Sequence, residues 1–400
     1  MIIQDFPPMG VYETLFKFLD ATGQYMGTEG THPWAQGFPL TTQLPNGPEI
    51  LANVEFSSSD LKYPQAAGND ELRETIANYY NHFYGSRIQA ANVAVFAGGR
   101  PGILAILAFL QAGTQVLIEE TEYTPYWDML KLFQIEHRLV PSNPANEFRP
   151  SLADYRQLEN SLPGKSLIIK SNPCNPTGVT WRGPQLQEFV EYCSAENRGA
   201  VIDEAYEFFN AQGAESALRY IRTIDDTNLF VIGAATKGLQ APGIRIGWVV
   251  AAKDHIRIFR NFSSIAMGGV SRLSQIVANR LLELQRVTQA RQAVQNYYDA
   301  QRKRYETGLS ELGLELFTGD GGFYHWGRLP NAMTAEQFNQ RLFQHKAAIL
   351  PGTLCDMLRR GDQSPMANFI RFSFGPVLAE SYEGNIEIIQ NCLNLAAQPA

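Results

Sequence analysis

Lys237 stands in the run GAATKGLQAPGIRIGW, which sets an amine, a Pro-Gly turn and a guanidinium within one short segment; Arg245 follows the lysine by 245 − 237 = 8 positions. An unprotonated amine attacks carbonyl carbon and serves as a proton-transfer base. A free lysine titrates near about 10.4, so that use requires burial or nearby positive charge to lower its pKa. Arg245 is one such charge, whereas Lys253, on a polar step after the next apolar run, reads as solvated. The guanidinium of Arg245 also has the fork that binds phosphate through two hydrogen bonds, or that joins a structural ion pair. A second anion-binding element is AGGRPGI, residues 97–103, between the apolar runs VAVF and ILAILAFL. There the backbone N–H groups of Gly99 and Arg100 at a helix start can face an anion, and Pro101 suits the first turn. Such a Gly-rich stretch can equally be only a turn. Asp203 ends the run AVID, where a strand's C-terminal edge delivers a side chain to a crevice; a helix cap is the other use of an acid there.

Two further segments, SNPCNPTG (171–178) and VIDEAYEFF (201–209), complete a pattern that resembles the fold-type I aminotransferases, the large pyridoxal 5'-phosphate (PLP) family, over most of the chain. The resemblance implies exchange of an amino group between an L-amino acid and a 2-oxo acid. It makes Lys237 the covalent anchor of PLP and, once freed by substrate, the proton carrier. Asp203 would hold the proton on the ring nitrogen, and Asn175 and Tyr206 would bond the phenolic oxygen. Tyr123, in ETEYTPYW, aligns with the aromatic that stacks on the ring, with Tyr126 and Trp127 competing for that place. Gly99, Arg100, Thr236 and Arg245 would hold the phosphate. The family commonly has a hydroxyl residue three positions before the lysine, where this chain has Ala234; the missing hydrogen bond costs about 0.5–1.5 kcal/mol.

On the substrate side the resemblance places Arg371, in FIRFSFG, on the α-carboxylate together with Asn175. In a strand Arg371 points away from the face of Ile370 and Phe372, and a charge so placed is functional or salt-bridged. Tyr63, in KYPQAAGNDELRETIA, resembles the tyrosine that reaches the phosphate of a neighbouring subunit, which implies a homodimer with shared sites; a Tyr-Pro turn is the local alternative. GGFYHW (321–326) and ILPG (349–352) match segments that line the substrate side. A lyase or synthase, such as a carbon–sulfur β-lyase, would keep all these residues, because PLP carries the hard chemistry. A non-catalytic sensor with the same body is the third reading, and the intact Lys237, Asp203 and Arg245 stand against it.

The elements that must position these groups are legible as short apolar runs. VAVFA (93–97), QVLIEE (115–120), SLIIKS (166–171), AVID (200–203), LFVIG (229–233) and IGWVVAA (246–252) alternate with helical patterns, as expected of a mainly parallel α/β sheet. Leu72, Ile76, Tyr79, Tyr80 and Phe83 recur at helical spacing, and Gly85 can end that helix. From about Leu273 long helices take over, followed by LELF, GFYHWGRL, AAIL and FIRFSF as strands mixed with helices. The expected architecture is a PLP-dependent transferase-like large domain, residues 51–285, and a smaller α+β domain, residues 286–400. The first fifty residues, rich in Gly, Pro and Thr, read as an irregular arm joined to the small domain.

Bulk properties set limits. With 400 residues and 44% hydrophobic composition the chain can bury large cores. A net charge of −7 gives no general attraction to nucleic acid or anionic membrane. No run of about 18 apolar residues is present. MIIQDFPPMG lacks the basic start and apolar stretch of a signal peptide, which points to the cytoplasm, and four cysteines without CxxC spacing point to reduced thiols. Six histidines scattered without a spacing such as HExxH point away from a metal centre.

Overall fold

The six apolar runs all become strands of one sheet, since each is too apolar to leave a face in water. In the computed structural model, which describes Ile2 and residues 10–394, they are β1 (Val93–Phe96), β2 (Gln115–Glu119), β4 (Ser166–Ser171), β5 (Arg198–Asp203), β6 (Asn228–Ala234) and β7 (Gly247–Val250). A seventh strand, β3 (His137–Val140), completes the order β1-β7-β6-β5-β4-β2-β3. HRLV escapes a search for apolar runs because β3 is an edge strand, and only Val140 of its four residues is fully buried. From β3 to β6 the pairing is parallel, while β7 runs antiparallel to both β1 and β6. The sheet is therefore mainly parallel, as its apolar runs imply.

A second, antiparallel sheet has the order β10-β11-β9-β8, formed by β8 (Glu315–Leu316), β9 (Tyr324–Arg328), β10 (Leu350–Pro351) and β11 (Phe369–Ser373). A 28-residue helix, Leu284–Glu311, precedes it. Helix Asp70–Tyr84 follows the expected spacing: Leu72, Ile76, Tyr79 and Tyr80 are buried, and Gly85 ends it in the left-handed region with its N–H on Asn81 O. Among the described residues, no helix is long and apolar enough to cross a membrane. All four cysteines are buried and unpaired.

The reading of the first fifty residues as irregular throughout is corrected. Residues Val11–Thr22 form a helix, ended by Gly23 at φ 68° with its N–H on Leu19 O. Phe18 is buried, and Val11 and Leu15 pack beside it against a core that includes Trp326, Leu350 and Phe369 of the second sheet. The composition of the whole stretch hides one apolar face at i, i+4 and i+7. From Gly23 on, the stretch is irregular apart from a single bridge between His32 and Ala347.

Candidate active site

The parallel strands end together, and that edge gathers the groups singled out by their chemistry. Ser171 closes β4 in register with Asp203, which closes β5 and is paired in turn with Ile232 of β6. The chain leaves β6 at Ala234 and runs straight into Thr236 and Lys237. These ends open on a cavity of about 390 Å³ lined by, among others, Gly99, Arg100, Tyr123, Tyr206 and Arg245. An adjoining cavity of about 200 Å³ shares Lys237, Arg100 and Asn175 with it and adds Arg371 and Tyr324. Ten of the eleven residues named from the sequence thus meet in one place. The exception is Tyr63, which is 92% exposed and lines neither cavity of its own chain.

The lysine is tuned by its surroundings. Burial, then the charges of Arg100 and Arg371, bring Lys237 down to about 7, against an opposing pull from Asp203. Its Nζ donates to the carbonyl of Gly37, so the irregular stretch after the first helix roofs the amine. A pKa lowered this far makes the unprotonated amine available near neutral pH, which suits both imine formation and proton transfer.

Asp203 shows opposed influences. Burial raises its pKa, while the Tyr126 hydroxyl, donating to Oδ2 at 2.8 Å, and the Ala205 N–H, donating to Oδ1 at 3.0 Å, favour the carboxylate. Tyr126 is thus a site residue that the sequence offered only as a rival for stacking. Its ring stands at 88° to that of Tyr123, with centroids 5.2 Å apart. Tyr123 is the one whose ring lines the cavity, and its hydroxyl accepts from Arg100 Nε at 2.9 Å and Nη2 at 2.6 Å. Trp127 turns elsewhere, taking the Lys131 ammonium 4.6 Å from its ring centre and the Arg359 guanidinium at 5.1 Å.

The phosphate-side elements also come together. Helix Gly99–Ala108 starts at Gly98, whose φ of 103° and lack of a side-chain cap leave the first N–H groups to an outside anion. A Cβ on Gly98 would come within 2.5 Å of Arg245 Nη2, so glycine is required for that approach. Among the described residues, Arg245 donates only to carbonyls, Pro242 O at 2.9 Å and Ala97 O at 3.3 Å. Thr236 and Ala234 both line the cavity, so the missing hydroxyl is missing at the site itself.

Arg371, on β11, is 1% exposed. It donates to Asn175 Oδ1 at 2.9 Å and Ala35 O at 2.7 Å, and among the described residues its Nε has no partner. Its guanidinium lies 4.3 Å from the ring centre of Tyr324, whose hydroxyl is bonded to that of Tyr206. Asn175 Nδ2 reaches Tyr206 at 3.5 Å. The motif GGFYHW pointed to this side of the site, but nothing in it marked Tyr324 as the link between Tyr206 and Arg371.

Arg100, Arg245 and Arg371 are thus held by carbonyl, amide and phenol oxygens, and among the described residues none pairs with a carboxylate. Three unspent cations, one carboxylate, a depressed lysine and a flat aromatic wall match the parts of PLP: a phosphate, a protonated ring nitrogen, an aldehyde and a planar ring. The donor atoms of Glu119, Glu122 and Cys174 lie within 4.8 Å of one another, a metal-like grouping, but there the Lys170 ammonium is already bonded to Glu119.

Sequence comparison agrees with this geometry. The pattern of the family described as aminotransferase class I and II matches residues 32–381. The chain belongs to that family. Aspartate aminotransferase of Pyrococcus horikoshii is 26% identical over 303 residues, 75% of this chain and 76% of that protein. Valine–pyruvate aminotransferase of Mycobacterium tuberculosis is 26% identical over 342 residues, 83% of this chain and 84% of that one. In fold, the chain is similar to Thermus thermophilus aspartate aminotransferase with maleate: TM-score 0.80, 20% identity, covering 98% of this chain and 100% of that one. The protein is a PLP-dependent aminotransferase on a mixed α/β scaffold.

Proposed function

We propose that this aminotransferase uses an acidic amino acid and its 2-oxo acid, with Arg371 on the α-carboxylate and Arg100 on the second carboxylate. The observation that carries this reading is the trio of arginines without carboxylate partners. A phosphate at the start of helix Gly99–Ala108 engages Arg245, and an α-carboxylate engages Arg371, which leaves one guanidinium facing the shared part of the two cavities. The backbone N–H of Arg100 remains with the phosphate while its side chain serves the substrate. Several relatives are named aspartate aminotransferases, which supports the same choice.

When bound, PLP supplies the electron sink that makes the substrate α-proton removable. The chain's own residues do the steering. Lys237 takes and returns that proton; Asp203, fixed by Tyr126, keeps the ring nitrogen protonated; Tyr123 covers the ring. Asn175, bonded to both Arg371 and Tyr206, sets carboxylate and phenolic oxygen in one register. Gly37 and Phe38 line the cavity on the lysine side, where the Gly37 carbonyl accepts from Lys237 Nζ.

Steady-state kinetics on aspartate and on alanine test the substrate choice. Arg100→Gln is expected to lower kcat/KM for aspartate about tenfold to a hundredfold more than for alanine, the worth of a hydrogen-bonded charge, because any effect through Lys237, whose pKa Arg100 helps to lower, falls on both substrates alike. Arg371→Gln should depress both. Equal losses on the two substrates with Arg100→Gln would remove Arg100 from side-chain recognition.

We propose three further properties of the molecule. The division into an arm (1–50), a large domain (51–285) and a small domain (286–400) is supported by the two separate sheets. A homodimer with shared sites is supported by Tyr63 and by other exposed apolar residues, among them Ile50, Phe56, Leu61 and Ile265. Mixing Tyr63→Phe with Lys237→Ala subunits should then restore activity through heterodimers with one intact site, and a fully active monomer would contradict it. Four unpaired thiols suit a reducing, cytoplasmic setting.

A further inference from the structure

The register of the second sheet delivers a phenol to the active site. Tyr324 of β9 pairs with Ser373 of β11, so it shares a face with Arg371, which stands diagonally across from it on that strand. Its ring therefore lies against the Arg371 guanidinium, 4.3 Å from the ring centre, and its hydroxyl meets that of Tyr206, which follows β5 of the large sheet. Both phenols are buried. A Cβ on Gly37 would come within 2.3 Å of the Tyr324 oxygen, so the stretch that roofs Lys237 has glycine where this hydroxyl enters.

Hydrogen counting gives the phenol pair its direction, because each hydroxyl has a single hydrogen. Asn175 Nδ2 approaches the Tyr206 oxygen at 3.5 Å as a donor, so that contact uses no hydrogen of Tyr206. Were Tyr206 also the donor to Tyr324, it would have nothing left to offer the cavity it lines. With Tyr324 as donor, the Tyr206 hydrogen is free to face the phenolic oxygen of PLP. The Arg371 charge against its ring favours Tyr324 as donor, since it stabilises the negative charge that donation builds on the phenol.

We propose that Tyr324 is a positioning residue of this site: its O–H donates to Tyr206 and so aims the Tyr206 hydrogen at the phenolic oxygen, while its ring braces Arg371 for the α-carboxylate. The proposal rests on the reading that Tyr206 faces that oxygen. The charged and titratable groups around the pair are Arg371, Tyr123, Cys355 and Lys237.

The test is the absorbance of the PLP-loaded protein against pH, without substrate. That absorbance changes as the nitrogen joining PLP to Lys237 loses its proton, and the phenolic oxygen beside it holds the proton to higher pH when fewer donors draw on its charge. Tyr206→Phe removes the direct donor and should move the midpoint upward. Tyr324→Phe removes the donor behind it and should move the midpoint upward by about 0.4–1 unit, the worth of one hydrogen bond. Added to Tyr206→Phe, it should move the midpoint no further, because its effect passes through the Tyr206 hydroxyl. In turnover Tyr324→Phe should lower kcat about twofold to tenfold and leave KM within about twofold, since a ring still braces Arg371, whereas Tyr324→Leu should raise KM as well. If the leucine variant does not fold, the phenylalanine comparison still decides. A midpoint unmoved by Tyr324→Phe, or moved as far in the Tyr206→Phe protein as in wild type, is the result for a purely structural tyrosine and overturns this inference alone. A midpoint unmoved by Tyr206→Phe overturns the placement of Tyr206 and the inference with it.

Discussion

The Lys237→Ala protein is expected to fold, to retain PLP without a covalent bond, and to lose turnover by at least roughly a hundred- to ten-thousandfold, the range for removal of a positioned proton carrier. Folding should survive because the side chain's bond is to Gly37 O in an irregular stretch, not to the sheet core. The same reasoning fixes a pH dependence in the wild-type apoprotein. With Lys237 lowered to about 7 from an ordinary 10.5, the rate of PLP capture should climb as pH rises through about 7 and level off above it, because only the unprotonated amine attacks the aldehyde. Stopped-flow absorbance at several pH values measures that limb. A midpoint near the ordinary lysine value, or an alanine variant within tenfold of wild-type turnover, would exclude Lys237 from both roles. Burial is the largest cause of the shift and the charges of Arg100 and Arg371 add to it, so their glutamine variants should move the capture midpoint upward.

Asp203→Asn is the second large effect. Asparagine keeps the shape and the Tyr126 contact but removes the charge that holds the ring-nitrogen proton. The expected loss in kcat is roughly a hundred- to thousandfold, as for other preorganised groups aimed at developing charge. Substrate KM should change much less, since the amino acid is held by Arg371 on the far side of the site. Tyr126→Phe should act in the same direction but more weakly, because the Ala205 N–H still supports the carboxylate. Single-turnover rates with an amino acid alone separate this chemistry from binding. A half-reaction within tenfold of wild type in Asp203→Asn would show that another group holds the nitrogen.

Much of this protein was determined locally. Six of the seven strands of the large sheet are continuous apolar runs, and any such run must be buried on both faces. Leu72 through Phe83 repeat at helical spacing and end in a glycine free to adopt positive φ, so the helix and its stop need no distant partner. Lys237, Asp203, Asn175 and Arg245 are legible because each lies in a short segment with its own turn or strand end. What only the tertiary structure decided depends on register between segments far apart in the chain. The helix Val11–Thr22 becomes evident through the second sheet that buries Phe18, and β3 through its pairing with β2. Tyr126 became the partner of Asp203, and Trp127 the partner of cations, because consecutive residues of the helix Pro125–Leu132 point about 100° apart. Lys170 meets Glu119 only because the parallel pairing of β2 with β4 brings the two strand ends side by side. A charge's role follows from which opposite charge stands beside it in low dielectric, and that neighbour is supplied by the fold rather than by the adjoining residues.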